Sequence, residues 1–307
     1  MELGPDTLFA DVGRPHAGAM DAPVAAGYGV DPGPWVVAHR GGAGLAFENT
    51  LEAFQRSVAL GVRYLEVDAR ATSDGVCVAL HDADLHRVAG VRAQVANLEW
   101  NALSRTPLRT GAPVLRVDTL FEAFPEARFM VDLKDRRAIP ALSKAVRSPG
   151  LRARVCLAGA DDDVLSDAVA VLGPGVQAAM GWRSAGRLAV AARFGTRPRG
   201  VVRAPFVHVP LRLRRVPVFA GRLVAMAAEL GARVLVWTVD DARDMHRLLD
   251  AGVAGIITDR PDVGREVLLA RGVWRPASDR SSDPGPASPA HAAEPAPAPP
   301  TAAPTIA

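Results

Sequence analysis

The chain is nearly without lysine and cysteine: its 307 residues hold two of each, Lys134 and Lys144, Cys77 and Cys156. Two cysteines inside apolar runs exclude a disulfide framework and a cysteine-based zinc site, and they read as buried, inert thiols. With 34 arginines carrying the rest of the basic charge, a skew of the kind codon bias produces, each retained lysine stands out as a signal. No stretch approaches the ~18 consecutive apolar residues of a membrane-spanning helix. The first residues carry Glu2, Asp6 and Asp11 where a secretory signal would be basic and then apolar. These absences favour a cytoplasmic protein that is peripheral to a membrane at most. Aromatics make up only 5% and the net charge is +3, with no basic block interleaved with aromatics, which argues against a nucleic-acid partner. Gly41-Gly42-Ala43-Gly44 fits neither dinucleotide nor P-loop spacing, so an open nucleotide-binding sheet is disfavoured. Nothing in the sequence speaks to oligomeric state.

What is present is a 49% apolar chain with ample material for a core. Residues 1–33 are rich in Gly, Pro and Ala without periodicity, and 19 of the 32 residues in 276–307 are Pro or Ala. Such composition cannot bury enough apolar surface to offset ordering entropy, so both ends are expected to be disordered around a folded 34–275. Within that span, apolar runs at 35–38, 64–69, 129–133, 154–157, 176–179, 200–204, 233–238 and 255–258 alternate with amphipathic stretches. Eight such units predict a closed (β/α)8 barrel of the TIM type, with its site at the C-terminal ends of the strands. Gly61, Gly173, Gly195, Gly231, Gly252 and Gly272 follow the helices as C-terminal caps, and Asn49 is the expected N-cap of the first.

One segment breaks the alternation. Thr72-Ser73-Asp74-Gly75 is a turn followed at once by a second extended run to His81, which predicts a hairpin after the second barrel strand. Pairing about Ser73-Asp74 sets Glu66 opposite His81 and Asp68 opposite Ala79. An irregular insertion follows at about 84–113, long enough to be a lid or binding loop.

Glu66 and Asp68 alternate on an otherwise apolar strand, so both carboxylates face the barrel mouth, and Asp132 stands likewise near the end of its own strand. Buried carboxylates need a cation, an Arg or Lys partner, or a raised pKa. Three oxygen donors suit a hard divalent ion, Mg2+ or Ca2+; ion-paired rim residues explain the pattern equally well. His39 ends the first strand and His81 reaches the same rim. With Arg40 and Lys134 nearby they form an anion site with a base and an acid, the alternative being structural histidines. His16, His86, His208, His246 and His291 lack such company and read as surface or loop residues.

His39-Arg40-Gly41, Glu48-Asn49-Thr50, Glu66-Val67-Asp68, Thr72-Ser73-Asp74-Gly75 and His81-Asp82 occur in the order of the glycerophosphodiester phosphodiesterase family. Leu85 and Arg87, Asp132-Leu133-Lys134, Trp237-Thr238-Val239-Asp240 and Gly255-Ile256-Ile257-Thr258-Asp259 continue the match, so that residues 35–265 closely resemble that family. The resemblance implies a TIM-type barrel that hydrolyses a small glycerophosphodiester to glycerol 3-phosphate and an alcohol. It implies His39 and His81 as general base and acid, Glu66, Asp68 and Asp132 as ligands of Mg2+ or Ca2+, Arg40 and Lys134 on the phosphate, and Trp237 against the glycerol. Asp132 departs from the family's glutamate, which retracts its carboxylate by one methylene. Two rivals use the same residues: a lysophospholipase D-like enzyme, for which Leu98, Trp100 and Leu103 could form an apolar groove, and a non-catalytic phosphodiester-binding barrel.

Overall fold

The computed structural model describes residues 27–213, 216–217 and 221–275. Eight parallel strands close into a barrel: β1 (Trp35–Ala38), β2 (Tyr64–Ala71), β4 (Arg128–Leu133), β5 (Val155–Gly159), β6 (Gln177–Met180), β7 (Phe206–Pro210), β10 (Arg233–Trp237) and β11 (Gly255–Thr258). They pair in that cyclic order, and β1 meets both β11 and β2 to seal the ring. The short β3 (Cys77–Ala79) adds antiparallel to β2, and β8 (Arg212–Leu213) with β9 (Val216–Pro217) forms a separate ribbon. Helices α1 (Leu51–Ala59), α4 (Val117–Ala123), α5 (Ala138–Ala145), α6 (Pro149–Ala153), α7 (Asp162–Leu172), α8 (Trp182–Phe194), α9 (Arg222–Glu229), α10 (Ala242–Asp250) and α11 (Pro261–Ala270) connect or follow the barrel strands. The six glycines expected after helices all take positive φ, from +65° to +87°.

The strand expected at 200–204 is not formed; the sixth barrel strand is β7, beginning at Phe206. Val201 and Val202 have strand character, yet Val202 N donates to Ser184 Oγ, which ties this segment along α8 instead. The true strand, Phe-Val-His-Val-Pro, alternates inward and outward and carries a histidine on its inner face.

The hairpin forms with a register one residue from that expected: Ala69 pairs with Ala79 and Ala71 with Cys77. The loop has three residues rather than two, closed by Thr72 N donating to Val76 O and by Gly75 at φ +78°. Asp68 therefore lies across from Leu80, and His81 reaches the rim where the chain turns beyond β3. Arg70 holds that turn, donating from Nε and Nη2 to His81 O at 3.0 and 2.8 Å. The insertion carries α2 (His86–Ala89) and α3 (Trp100–Leu103) over a small core of its own, including Val78, Leu80, Leu85, Leu103 and Leu108. Leu103 is fully buried there, with Leu98 and Trp100 packed against it, so these three make no groove.

The floor of the barrel is aromatic. Trp35 stacks on Tyr64 at 4.9 Å, and Tyr28 meets Tyr64 and Phe206 edge-on, each at 5.2 Å. Tyr28 is completely buried, so residues 28–33 depart from the disorder expected of them. Asp31 fixes the segment by pairing with Arg63 at 3.1 Å and Arg128 at 2.9 Å while accepting from Tyr64 Oη. A single tyrosine and a single aspartate thus anchor a stretch whose overall composition suggested none. Residues 1–26 and 276–307, also expected to be disordered, lie outside the described residues. Cys77 and Cys156 are buried, and burial pushes both thiols up, as inert packing residues require.

Candidate active site

At the C-terminal end of the strands lies a pocket of about 170 Å³. His39, Arg40, Glu66, His81, Asp132, Lys134 and Trp237 all line it, so seven of the eight residues singled out from the sequence converge. The eighth, Asp68, is buried beside them: one oxygen each from Glu66, Asp68 and Asp132 lie within 4.8 Å of one another.

The turn after β1 makes the convergence. Arg40 adopts a left-handed conformation, φ +48°, and its backbone N donates to Glu66 Oε2 at 2.7 Å. Its side chain turns the other way, Nε 3.3 Å from Asp68 and Nη1 donating to Glu48 at 3.1 Å. Gly42 allows the turn, at φ +95°, since a Cβ there would stand 2.6 Å from Ser57 Oγ. Asn49 is left-handed too, φ +56°, and donates from Nδ2 to Asp68 Oδ2 at 2.7 Å. Because Asn49 serves Asp68, the N-cap of α1 falls one residue later, at Thr50, whose hydroxyl accepts from Ala53 N.

The electrostatics are uneven. Lys134 Nζ sits 2.7 Å from Asp68 and 2.6 Å from Asp132, so two of the three carboxylates have a cationic partner in the protein. Burial would raise Asp68, but Lys134 and Arg40 outweigh it and hold the carboxyl below its ordinary value. Glu66 is less well served: burial, and then the charge of Asp68, push it well up. Three carboxylates thus face two protein cations, Lys134 and Arg40. The excess negative charge and the all-oxygen donor set, with one oxygen from each carboxylate within 4.8 Å of the others, fit a hard divalent cation.

Each rim histidine is oriented by a carboxylate. His39 Nδ1 lies 2.8 Å from Asp259 and His81 Nδ1 2.7 Å from Asp82. With Nδ1 carrying the proton toward its aspartate, Nε2 of each ring is left for chemistry. Burial alone would lower His39; the bond to Asp259 and the charge of Glu66 raise it overall. Arg87 joins the two halves of the site, donating from Nε to Asp82 at 2.6 Å and from both terminal nitrogens to Glu48.

The chain matches the Glycerophosphoryl diester phosphodiesterase family over residues 39–166 and 190–263. It belongs to that family. With the family comes the enzyme class, phosphoric diester hydrolase. A Mycobacterium tuberculosis protein named "Probable glycerophosphodiester phosphodiesterase 2" is 34% identical over 245 residues, spanning 78% of this chain and 92% of that protein. The Rattus norvegicus protein named "Lysophospholipase D GDPD1" is 38% identical over 111 residues, 32% of this chain and 35% of that one. Among solved structures, a glycerophosphoryl diester phosphodiesterase domain from Mycobacterium tuberculosis superposes with a TM-score of 0.68 at 17% identity, covering 77% of this chain and 99% of that one.

Four residues of this phosphodiesterase that sequence reasoning did not single out as site residues stand in or against the pocket. Asp82 and Asp259 figure in the sequence reading only as parts of motifs, and Asn49 as a motif residue and helix cap; the bonds of Asp259 to His39 and of Asn49 to Asp68 join distant residues, and only the fold reveals them. His208, assigned from sequence to surface or loop, is a correction: it projects from β7 into the pocket at 7% exposure. Its Nε2 has no hydrogen-bond partner, and burial pushes the imidazole down to about 4, so it is neutral. A polar residue between Val207 and Val209 was the available signal.

Proposed function

We propose that this phosphodiesterase hydrolyses glycerophosphodiesters to glycerol 3-phosphate and an alcohol, with His39 as general base, His81 as general acid and Mg2+ or Ca2+ held by Glu66, Asp68 and Asp132. The observation that carries the reading is the pairing of two imidazoles, each tied through Nδ1 to an aspartate, on the rim of one pocket with three convergent carboxylates. The bound cation would supply positive charge to the non-bridging phosphate oxygens. Arg40 and Lys134 add to that field from either side of Asp68 and orient the diester. His39 Nε2 takes the proton of the nucleophile, water or the glycerol 2-hydroxyl, and Asp259 stabilises the imidazolium that results; if the 2-hydroxyl attacks, the product is a cyclic phosphate, which water then opens to glycerol 3-phosphate with the two histidines exchanging roles. Protonated His81 returns a proton to the departing alkoxide, and Trp237 lies along the glycerol. A small soluble substrate of this kind suits the cytoplasmic location expected from the sequence.

Release of glycerol 3-phosphate from glycerophosphocholine tests the reading. Chelation is expected to abolish it, Mg2+ or Ca2+ to restore it, and His39→Ala or His81→Ala to lower kcat by about 100-fold or more. Full activity after chelation removes the metal from the scheme. Preferential cleavage of a lysolipid gives the lysophospholipase D reading, and tight binding without turnover the non-catalytic one.

A further inference from the structure

The charge of the chain is segregated. From Ala168 to Ala228 the sequence contains ten arginines and no acidic residue, leaving the other 246 residues with 26 basic against 33 acidic side chains, a net charge of −7. Among the described residues, the arginines of this stretch make no ion pair with a carboxylate. The stretch also holds five of the eight exposed large apolar side chains among the described residues: Val171, Trp182, Val190, Phe194 and Val202.

Part of each set shares a surface. Helix α8 buries Ala185, Leu188, Ala189 and Ala192 against the barrel, and turns Arg183, Arg187, Val190, Arg193 and Phe194 outward. Val190 is 59% and Phe194 74% exposed, values that a packed helix face would not leave. The following segment lies alongside, with Arg187 Nη1 donating to Gly200 O and Val202 N to Ser184 Oγ, so the exposed Val202 stands beside α8. At its start, Trp182 stacks on Trp237 at 5.9 Å and lines the pocket. The basic, apolar-tipped surface therefore runs up to the mouth of the active site.

We propose that this face docks on an anionic lipid surface, with the guanidinium groups at the headgroups and Phe194, Val190 and Trp182 inserted among them. Polybasic charge next to protruding aromatic and aliphatic side chains is the combination that interfacial binding uses. A two-fold contact between copies would set Arg183, Arg187 and Arg193 against their own kind. A nucleic-acid duplex, with its bases paired and stacked, would meet the guanidinium groups through phosphate and leave Phe194 and Val190 unburied. Docked in this way, the pocket would open next to the bilayer.

Sedimentation with vesicles tests the proposal independently of activity. The full chain is expected to bind equimolar phosphatidylcholine–phosphatidylglycerol vesicles and to ignore phosphatidylcholine alone. Arg183→Glu with Arg193→Glu should reduce partitioning at least about tenfold. Phe194→Ser should reduce it several-fold, and each variant should keep its thermal midpoint. Equal binding to both vesicle types overturns the proposal, as does anionic binding that Phe194→Ser leaves unchanged while a DNA duplex competes. A dimer that Phe194→Ser dissociates would assign the face to self-association instead.

Discussion

At Lys134 one ammonium answers two carboxylates at 2.6 and 2.7 Å, a geometry that a point charge satisfies and a planar fork does not. Lys134→Arg is accordingly expected to lower kcat/KM at least about tenfold, or ~1.4 kcal/mol of transition-state stabilisation, while Lys144→Arg changes nothing measurable. Steady-state kinetics on the two variants decide it; equal harmlessness would make Lys134 a rim residue. His208 makes a prediction of opposite kind, about stability. Its folded value near 4 lies below the ordinary 6.5, so the unfolded chain binds the proton more readily between those limits. Stability from this residue is complete above 6.5 and declines as the pH falls toward 4, by about 3 kcal/mol in all. His39 and Glu66, both pushed up, act with the opposite sign, so the comparison is between wild type and His208→Leu. Urea unfolding at pH 7.5 and pH 5 should give the wild type a stability loss about 2 kcal/mol greater than that of His208→Leu. A common pH dependence would mean that His208 is solvated in the folded state.

At the scale of elements, the site is made by two turns more than by its strands. The turn after β1 and the start of α1 put two non-glycine residues into the left-handed region so that Arg40 and Asn49 can reach Glu66 and Asp68. Asn49→Ala loses both a bond to a buried carboxylate and the tolerance of asparagine for that conformation, and should cost about 3 kcal/mol. Asn49→Gly keeps the conformation and should cost about 1 kcal/mol less, an ordering that denaturant melts can check. This division explains what the sequence disclosed. Strand alternation and family motifs located the eight pocket candidates, because inward-facing positions on a barrel follow from period two. They failed at β7, where a histidine and a proline disguised the strand and hid His208, and at the hairpin, where a third loop residue shifted the register. The partnership of His39 with Asp259 joins residues 220 positions apart, and spacing along the chain cannot report it.

For the whole molecule, the decisive feature is the aromatic floor. Tyr28→Ala would empty a fully buried site between Tyr64 and Phe206 and should destabilise the protein by about 3–5 kcal/mol. Tyr28→Phe should be at least as stable as the wild type, because the Tyr28 hydroxyl is buried without a partner. Calorimetry on the pair would show whether shape or the hydroxyl matters. The same plug has a kinetic consequence. With the lower end stoppered, the barrel is a cup and not a tube, so both fragments of a cleaved diester must leave by the opening through which the intact molecule came. The fragment that sits deeper waits for the other, and turnover carries an order of departure that the shape of the vessel imposes.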